Sequence, residues 1–379
     1  MKAFKIKNGL QAGRYLGSNG TETAGSVGYD LAGASYDSVS FSVASQDNIP
    51  TGLVFNTAGT KLYMGGTQNE TIYQYTLSTA FDLGTASYDS VSFSVSGQES
   101  NLQGFIFSAD GAKLFVVGAG SDTVYQYTLS TAFDLSTASY DSVSFSVASQ
   151  DSNPYDVIFN DDGTKMYIAG IGTDAVYQYS LSTGFDLSTA SYNSVSFSVS
   201  GQDTTPVGIR YNDNGTKLFM IGATTDSIYQ YSLSTAFDLT TASYDSVSFS
   251  VASQGTAPQG VTLSADGTKM YVVDAIGDAV FQYSTVAYTQ TLDLSTGTTF
   301  SFTPSGATTV SLTNPPATGI AIGFTVEIIG DASAITWPSS VKWPAGVAPT
   351  ATATKELYTF VTTDGGTTYY GKKAAEGIS

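Results

Sequence analysis

The residues best suited to chemistry in this chain are the charged ones that interrupt a near-exact 52-residue repeat. Asp156 stands where the other four repeats have a glycine, at Gly52, Gly104, Gly208 and Gly260. In the next repeat Arg210 stands where others have Val54, Ile106, Ile158 and Thr262. Because adjacent repeats carry these two charges at nearby positions, we predict an ion pair between Asp156 and Arg210. Its role is either structural or that of a polar ligand site.

The available catalytic chemistry is narrow. The chain has no histidine and no cysteine, which excludes His-based mechanisms, thiolate nucleophiles, disulfides and the usual zinc sites. Paired carboxylates, as in glycoside hydrolases, remain. A catalytic pair should be unique among the repeats, and only Asp156 and Asp274 meet that condition. Two such residues are slight evidence, so we predict that the protein is not an enzyme and has neither catalytic residues nor a cofactor.

An acidic residue also recurs in one turn of every repeat, at Glu70, Asp122, Asp174, Asp226 and Asp278. Repeated calcium binding is one interpretation. However, these turns lack the D-x-D-x-D spacing of a calcium loop, and Asp is common in turns because its side chain bonds to nearby backbone. We therefore predict no metal site.

Each repeat contains four stretches with the period-2 alternation of short strands. One repeat reads SVSFSV (142–147), YDVIFN (155–160), MYIAGI and VYQYSL (176–181), with turns rich in Asp and Gly. Four short antiparallel strands at this period predict the blades of a β-propeller. The phrases SADGTKMYV (264–272) and VYQYSLST resemble YVTN-type propeller repeats. That resemblance covers residues 31–285 and implies a fold, not a function.

The order of the strands predicts how the ring closes. The SFSV strand occurs five times, first within YDSVSFSV (36–43), and none follows the last three-strand unit (258–284). We therefore predict that 36–43 pairs with AVFQYS (279–284) and completes a fifth blade, which leaves no open edge. The third strand of every unit also carries a glutamine, which we expect to satisfy backbone groups between blades. The expected fold is an all-β, five-bladed β-propeller (31–285).

Charge limits the partners. The formal net charge is −18, concentrated in residues 31–285, so the basic footprint needed for nucleic acid is missing. No apolar stretch is long enough to span a membrane, so we predict no membrane insertion. The opening MKAFKIKNGLQAGRYL has positive charge without the apolar run of a secretory signal.

The last part of the chain departs from the repeat. Alternating runs such as TFSFT, FTVEII and ELYTFVTT, separated by Gly, Pro and Asn turns, predict a small β-sandwich over 286–379. Its phrases AITWPSSVKWPAGVAPT (334–350) and LYTFVTTDGGTTYYGK (357–372) resemble the C-terminal module of tailed-bacteriophage virion proteins, especially tail-fibre and appendage proteins. Trp337, Trp343, Tyr369 and Tyr370 are candidate glycan contacts, because aromatic faces stack on sugar rings. The alternative is that the tryptophans and prolines pack as a rigid plug.

The N-terminal FKIKNGLQAGRYL is similar to the leader that attaches such appendages to the particle. Residues 1–30 are thus a predicted attachment segment, with Phe4 and Ile6 on one face. The resemblance implies a virion protein released by lysis, with other virion proteins and a host glycan or protein as partners. We expect a homo-oligomer, a trimer being favoured, because weak sites need several copies to act together. The alternatives are a head or tail decoration protein, a glycan hydrolase and a secreted lectin.

Overall fold

The computed structural model describes residues 21–24, 29–285, 288–303, 308–329, 335–350, 352 and 354–377. The chain forms two compact units, Ser38–Thr285 and Met1–Asp37 with Val286–Ser379. Short 3-10 segments are Leu31–Gly33, Leu83–Thr85, Leu135–Thr137, Leu187–Thr189, Leu239–Thr241 and Pro344–Gly346. No helix in the described part of the chain has the length and apolar character needed to span a bilayer.

Five four-stranded sheets form the blades, each running from an inner strand to an outer strand. Blade 1 is Pro50–Phe55, Lys61–Gly66, Thr71–Leu77 and Ala86–Ser94. Blade 2 is Leu102–Phe107, Lys113–Gly118, Thr123–Leu129 and Ala138–Ser146. Blade 3 is Pro154–Phe159, Lys165–Gly170, Ala175–Leu181 and Ala190–Ser198. Blade 4 is Pro206–Tyr211, Lys217–Gly222, Ser227–Leu233 and Ala242–Ser250.

Blade 5 joins the two ends of the repeat array. Its strands are Pro258–Leu263, Lys269–Asp274, Ala279–Ser284 and the early strand Ser35–Ser42. Val43 follows that strand, donates its N–H to the carbonyl of Asp278 at 2.8 Å, and packs in one buried cluster with Val273 and Val280. The inner strands contact one another in a ring, including those of blades 5 and 1. The predicted five-bladed propeller and its closure by the N-terminal strand are confirmed.

The glutamines of the third strands tie neighbouring blades together. Gln74 Oε1 accepts the N–H of Leu135 at 3.1 Å, and Gln282 Oε1 accepts the N–H of Leu83 at 2.9 Å. The same contact joins Gln126 to Leu187 and Gln178 to Leu239. In each case a glutamine of one blade holds the 3-10 turn before the next blade's outer strand. The contact made by Gln282 continues this ladder from blade 5 to blade 1, as the repeat predicts.

The hairpin between the first and second strands of each blade is built by a recurring set of local contacts. In blade 1, Asn56 Oδ1 accepts the N–H of Lys61 at 2.9 Å and shapes the turn. Gly59 has a φ of +68°, and a Cβ there would lie 2.3 Å from the ring of Phe81. Only glycine accommodates both the backbone angle and the ring. These hairpins surround one end of the central channel.

The second unit contains two further sheets. The first has the strand order Thr21–Ala24, Tyr288–Asp293, Thr308–Thr313 and Ile335–Thr336. The second has the order Thr299–Phe302, Ile322–Ile328, Glu356–Thr362, Tyr369–Glu376 and Val341–Lys342. Residues of both sheets, including Val310 and Phe324, share one buried cluster, as a sandwich requires. Several pairings are parallel, for example Thr299–Phe302 with Ile322–Ile328, which the alternation did not indicate.

Candidate functional site

The centre of the candidate site is the channel between the inner strands, where Asp156 and Arg210 lie. The inner strands approach so closely that a Cβ on Gly104 would lie 2.6 Å from the carbonyl oxygen of Tyr155. This explains why most repeats have glycine at that position. Asp156 comes from blade 3 and Arg210 from blade 4, and both are buried, with exposed fractions of 3% and 8%. Any polar group at this depth needs partners.

The predicted ion pair is present, and it is extensively hydrogen-bonded. Arg210 Nη1 donates to Asp156 Oδ2 at 2.7 Å and to the carbonyl of Ile209 at 2.6 Å. The Asp156 carboxylate also accepts the N–H groups of Val157 and Ile209, each at 2.9 Å. Arg210 Nη2 donates to the carbonyl of Leu53 in blade 1, at 3.1 Å. One side chain therefore connects three blades through the channel.

The electrostatics of this ion pair fit a structural role better than a catalytic one. Burial raises the pKa of the Asp156 carboxyl, and the Arg210 guanidinium and the two backbone N–H donors oppose that rise. Both carboxylate oxygens are already engaged, and little of the side chain is exposed. A general acid or base must reach its substrate, so Asp156 as it stands is badly placed for hydrolysis.

Asp274, the other carboxylate unique among the repeats, has a structural explanation. In blade 3, Asp151 on the loop before the inner strand accepts the N–H of Asn153 at 2.8 Å and that of Thr173 at 3.0 Å. It occupies the space over Gly170, where a Cβ would lie 2.3 Å from the Asp151 carboxyl carbon. Blade 5 has the opposite arrangement, since Gly255 replaces the loop acid and Asp274 replaces the strand glycine.

In blade 5 the carboxylate of Asp274 accepts loop N–H groups as Asp151 does in blade 3, but it does so from the strand and not from the loop. Asp274 accepts the N–H groups of Ala257 at 2.7 Å, Ile276 at 3.1 Å and Gly277 at 2.6 Å. A Cβ on Gly255 would lie 2.3 Å from the carboxyl carbon of Asp274. The two substitutions therefore compensate for each other, and Asp274 keeps the loops of blade 5 folded.

This compensation predicts a non-additive pair of substitutions. Asp274→Gly should destabilise the propeller by about 1.5–3 kcal/mol, since three partly buried N–H groups lose a charged acceptor. Gly255→Asp alone should also destabilise it, by forcing two carboxylates into one space. The double variant Gly255→Asp/Asp274→Gly restores the arrangement of the other blades and should recover most of the loss. Urea denaturation of the four proteins measures the effect, and strictly additive losses would contradict the exchange.

The recurring turn acids do not assemble a metal site in the described part of the chain. Glu70, Asp122, Asp174, Asp226 and Asp278 all have positive φ angles between 44° and 53°. Burial raises the pKa of Asp122, and the nearby Glu99 and Asp151 carboxylates raise it further. Among the described residues, no group of three or more acidic side chains is positioned to hold a metal ion. The acids therefore act as turn residues in this structure.

The aromatic residues proposed for glycan stacking are divided between core and surface. Trp337 and Tyr369 are buried, with exposed fractions of 8% and 2%, and Trp343 packs against the same cluster. Trp337 lies edge-on to Trp343, with ring centroids 5.5 Å apart. This packing matches the rigid-plug alternative and leaves Trp337 and Tyr369 no open face for a sugar. Sequence alternation could not reveal this, because the tryptophans lie in a loop-like stretch without a clear period.

Tyr370 is the one of these four that remains exposed, at 64%. Its cross-strand neighbours are Lys342 and Val361, and Val361 in turn lies opposite Gly323. Val361 is also exposed, at 46%. The outer face of this sheet thus presents a short row with an aromatic ring, an apolar side chain and a cation. The predicted attachment residues Phe4 and Ile6 lie outside the described residues.

Comparison with known proteins adds no information about function. No family model matches the chain, and no curated protein matches it significantly. A candidate 6-phosphogluconolactonase from Bacteroides uniformis has 14% identity and a TM-score of 0.40, over 61% of this chain and 65% of that one. The match thus spans less than two thirds of that protein.

The Cps50 (Swd1) β-propeller domain from Myceliophteria thermophila has 9% identity and a TM-score of 0.38, over 62% of this chain and 83% of that one. Likeness at this level says nothing about activity or substrate. The conclusion that stands is architectural: the chain contains a five-bladed β-propeller whose last blade is completed by an N-terminal strand.

Proposed function

We propose that this protein is a non-enzymatic structural component of a tailed-phage particle, a tail fibre or tail appendage that contributes to attachment to the host surface. The observation that carries the proposal is the pairing of the two phrases on which the phage resemblance rests. Val341–Lys342, from VKWP, pairs with Tyr369–Tyr370, from the segment after DGG. The two phrases therefore form one structural unit, as expected of a module motif.

The exposed row on this unit supplies the attachment surface. Tyr370 offers an open aromatic face, and Lys342 beside it offers a donor for hydroxyl or carbonyl oxygens. Stacking of this kind gives modest affinity, so a useful attachment surface needs several copies of the chain. We propose a homo-oligomer, with a trimer favoured, that presents this row in parallel. The segment 1–30, in which Thr21–Ala24 is an edge strand of the C-terminal unit, would bind other virion proteins. The proposed location is a particle assembled in the host cytoplasm and released by lysis.

Adsorption of the purified chain to host cells tests the attachment role. We expect the wild type to adsorb and Tyr370→Ala to adsorb about tenfold more weakly, since a lost aromatic contact repeated over several copies weakens binding strongly. Ile276→Ala is the matched control, because it removes a comparably exposed apolar side chain, 71% exposed, from the propeller. Trp337→Ala is unsuitable for this test, since it removes a buried side chain from the core of the C-terminal unit and would alter folding.

The outcomes separate the alternatives. Failure of the wild type to adsorb would contradict attachment and favour a decoration protein. Equal adsorption by wild type and Tyr370→Ala would show that the contact lies elsewhere on the chain. Loss of adsorption in Ile276→Ala, with Tyr370→Ala unaffected, would move it to the propeller.

A further inference from the structure

A cavity of about 240 Å³ opens where the hairpins surround one end of the channel. Blades 1 and 2 give it an apolar wall that includes Val54, Ile106 and Phe107. Blades 4 and 5 give it a polar wall of Arg210, Asp213 and Thr262. Asn56 and Ser108 also border it, but their polar atoms are used within their own hairpins.

The polar wall consists of residues that depart from the repeat. Arg210 and Thr262 replace the Val or Ile found at the equivalent position in blades 1 to 3. Both are buried, Thr262 at 5% and Arg210 at 8% exposure. While both Nη atoms of Arg210 are bonded, its buried Nε has no hydrogen-bond partner among the described residues. A buried N–H without an acceptor costs free energy, so a ligand that brought an oxygen to Arg210 Nε would remove that cost.

The charges at this mouth disfavour an anion. The positive charge of Arg210 is compensated by Asp156, 2.7 Å away. Asp213 is exposed at the rim, where its negative charge adds to burial in raising the pKa of nearby Asp161. A bound anion would therefore meet the Asp213 carboxylate and, among the described lining residues, only a guanidinium whose charge Asp156 already compensates. A neutral ligand rich in hydroxyl groups can use the carboxylate of Asp213 as an acceptor and the guanidinium as a donor.

We propose that this cavity binds one neutral sugar ring. Drug-sized ligands occupy pockets of about 300–1,000 Å³, so this smaller cavity suits a single ring. A pyranose has a C–H face that matches the apolar wall and hydroxyl edges that match the polar one. This inference deepens the proposed function and rests on it, since that function supplies the source of the sugar, a glycan of the host surface. It adds a site on the propeller distinct from the Tyr370 row.

Ligand-observed NMR on the purified full chain tests this directly. The probes are D-glucose, D-galactose, D-mannose and N-acetyl-D-glucosamine, with D-glucuronate as the anionic comparison. Ala109→Trp fills the cavity mouth, and Thr262→Val installs the residue of blade 1 and removes one hydroxyl. Ala148→Trp is the matched control, since Ala148 is an exposed alanine in the loop before the inner strand of blade 3, at the opposite end of the strands.

We expect saturable binding of at least one neutral sugar by the wild type and by Ala148→Trp. Ala109→Trp should abolish it, Thr262→Val should weaken it about fivefold to tenfold through the lost hydrogen bond, and glucuronate should bind more weakly. The inference is overturned if none of the four sugars binds, if glucuronate binds best, or if Ala109→Trp binds like the wild type.

The assay uses no cells, so its failure is distinct from failure of the proposed function. A chain that adsorbs to cells without binding these sugars would lose this inference and keep the attachment role. A chain that binds a sugar in the cavity without adsorbing would keep this inference and lose the attachment role.

Discussion

Asp156→Ala is expected to destabilise the propeller by about 3–5 kcal/mol, because it leaves the buried guanidinium of Arg210 without its counter-charge. Arg210→Ile should cost a similar amount by isolating the buried carboxylate. These losses exceed those of ordinary surface substitutions, which are within about 0.5 kcal/mol. The contact from Arg210 to Leu53 adds to the effect, since removing the arginine also leaves a buried carbonyl of blade 1 without that donor.

The repeat itself supplies the control for this prediction. The double variant Asp156→Gly/Arg210→Ile installs the residues that other blades carry at the same positions. Replacing a buried ion pair by fitting apolar residues is often neutral or stabilising by about 1–4 kcal/mol, so we expect the double variant to regain wild-type stability. Urea midpoints for the four proteins give the coupling free energy. A coupling free energy below about 0.5 kcal/mol would contradict the stabilising role of the ion pair between Asp156 and Arg210.

A disulfide across the ring closure is expected to stabilise the protein more than the same bond inside one blade. In blade 3, Ala175 and Ser198 are direct cross-strand partners. The repeat places Ser42 and Ala279 at the equivalent positions of the closing blade. Ser42→Cys/Ala279→Cys closes a loop about ten times longer, so on loop entropy its bond should contribute about 2 kcal/mol more, or about 5 kcal/mol in all.

The comparison is clean because the chain has no native cysteine. Ala175→Cys/Ser198→Cys serves as the matched control, and each variant is compared with its own reduced form by urea denaturation. Equal stabilisation by the two bonds would contradict the loop-length account. Failure of the Ser42/Ala279 pair to oxidise in a folded protein would contradict closure by the N-terminal strand.

Much of the propeller could be predicted because near-identical repeats make each strand, turn and exception visible. The unpaired SFSV strand at 36–43 predicts closure, and the charges at 156 and 210 predict the ion pair. By contrast, the structural role of Asp274 depends on Gly255 on a facing loop, and inspection of one position at a time misses such an exchange. The contact between Arg210 and Leu53 crosses the ring, and the separation of these residues in the sequence does not show that they meet there.

The C-terminal unit was less predictable for a different reason. Its longer strands follow the period-2 pattern, and TFSFT, FTVEII and ELYTFVTT all contain observed strands. Two-residue strands such as Val341–Lys342 are too short to show a period. Since the placement of Trp337 and Trp343 depends on those short strands, their burial could not be predicted, whereas the exposure of Tyr370 follows from its place next to buried Tyr369 in the same strand.

The measurement that tests the proposed virion role most directly is immunogold electron microscopy of purified tailed-phage particles from a culture that produces this chain, with antibodies raised against the propeller. The proposed function predicts label on the tail or its appendages, with several gold particles at each labelled position because it includes a homo-oligomer. Label confined to the head would contradict the attachment role and favour a decoration protein. Intact particles that carry neither label nor this chain by mass spectrometry would contradict its assignment as a virion protein.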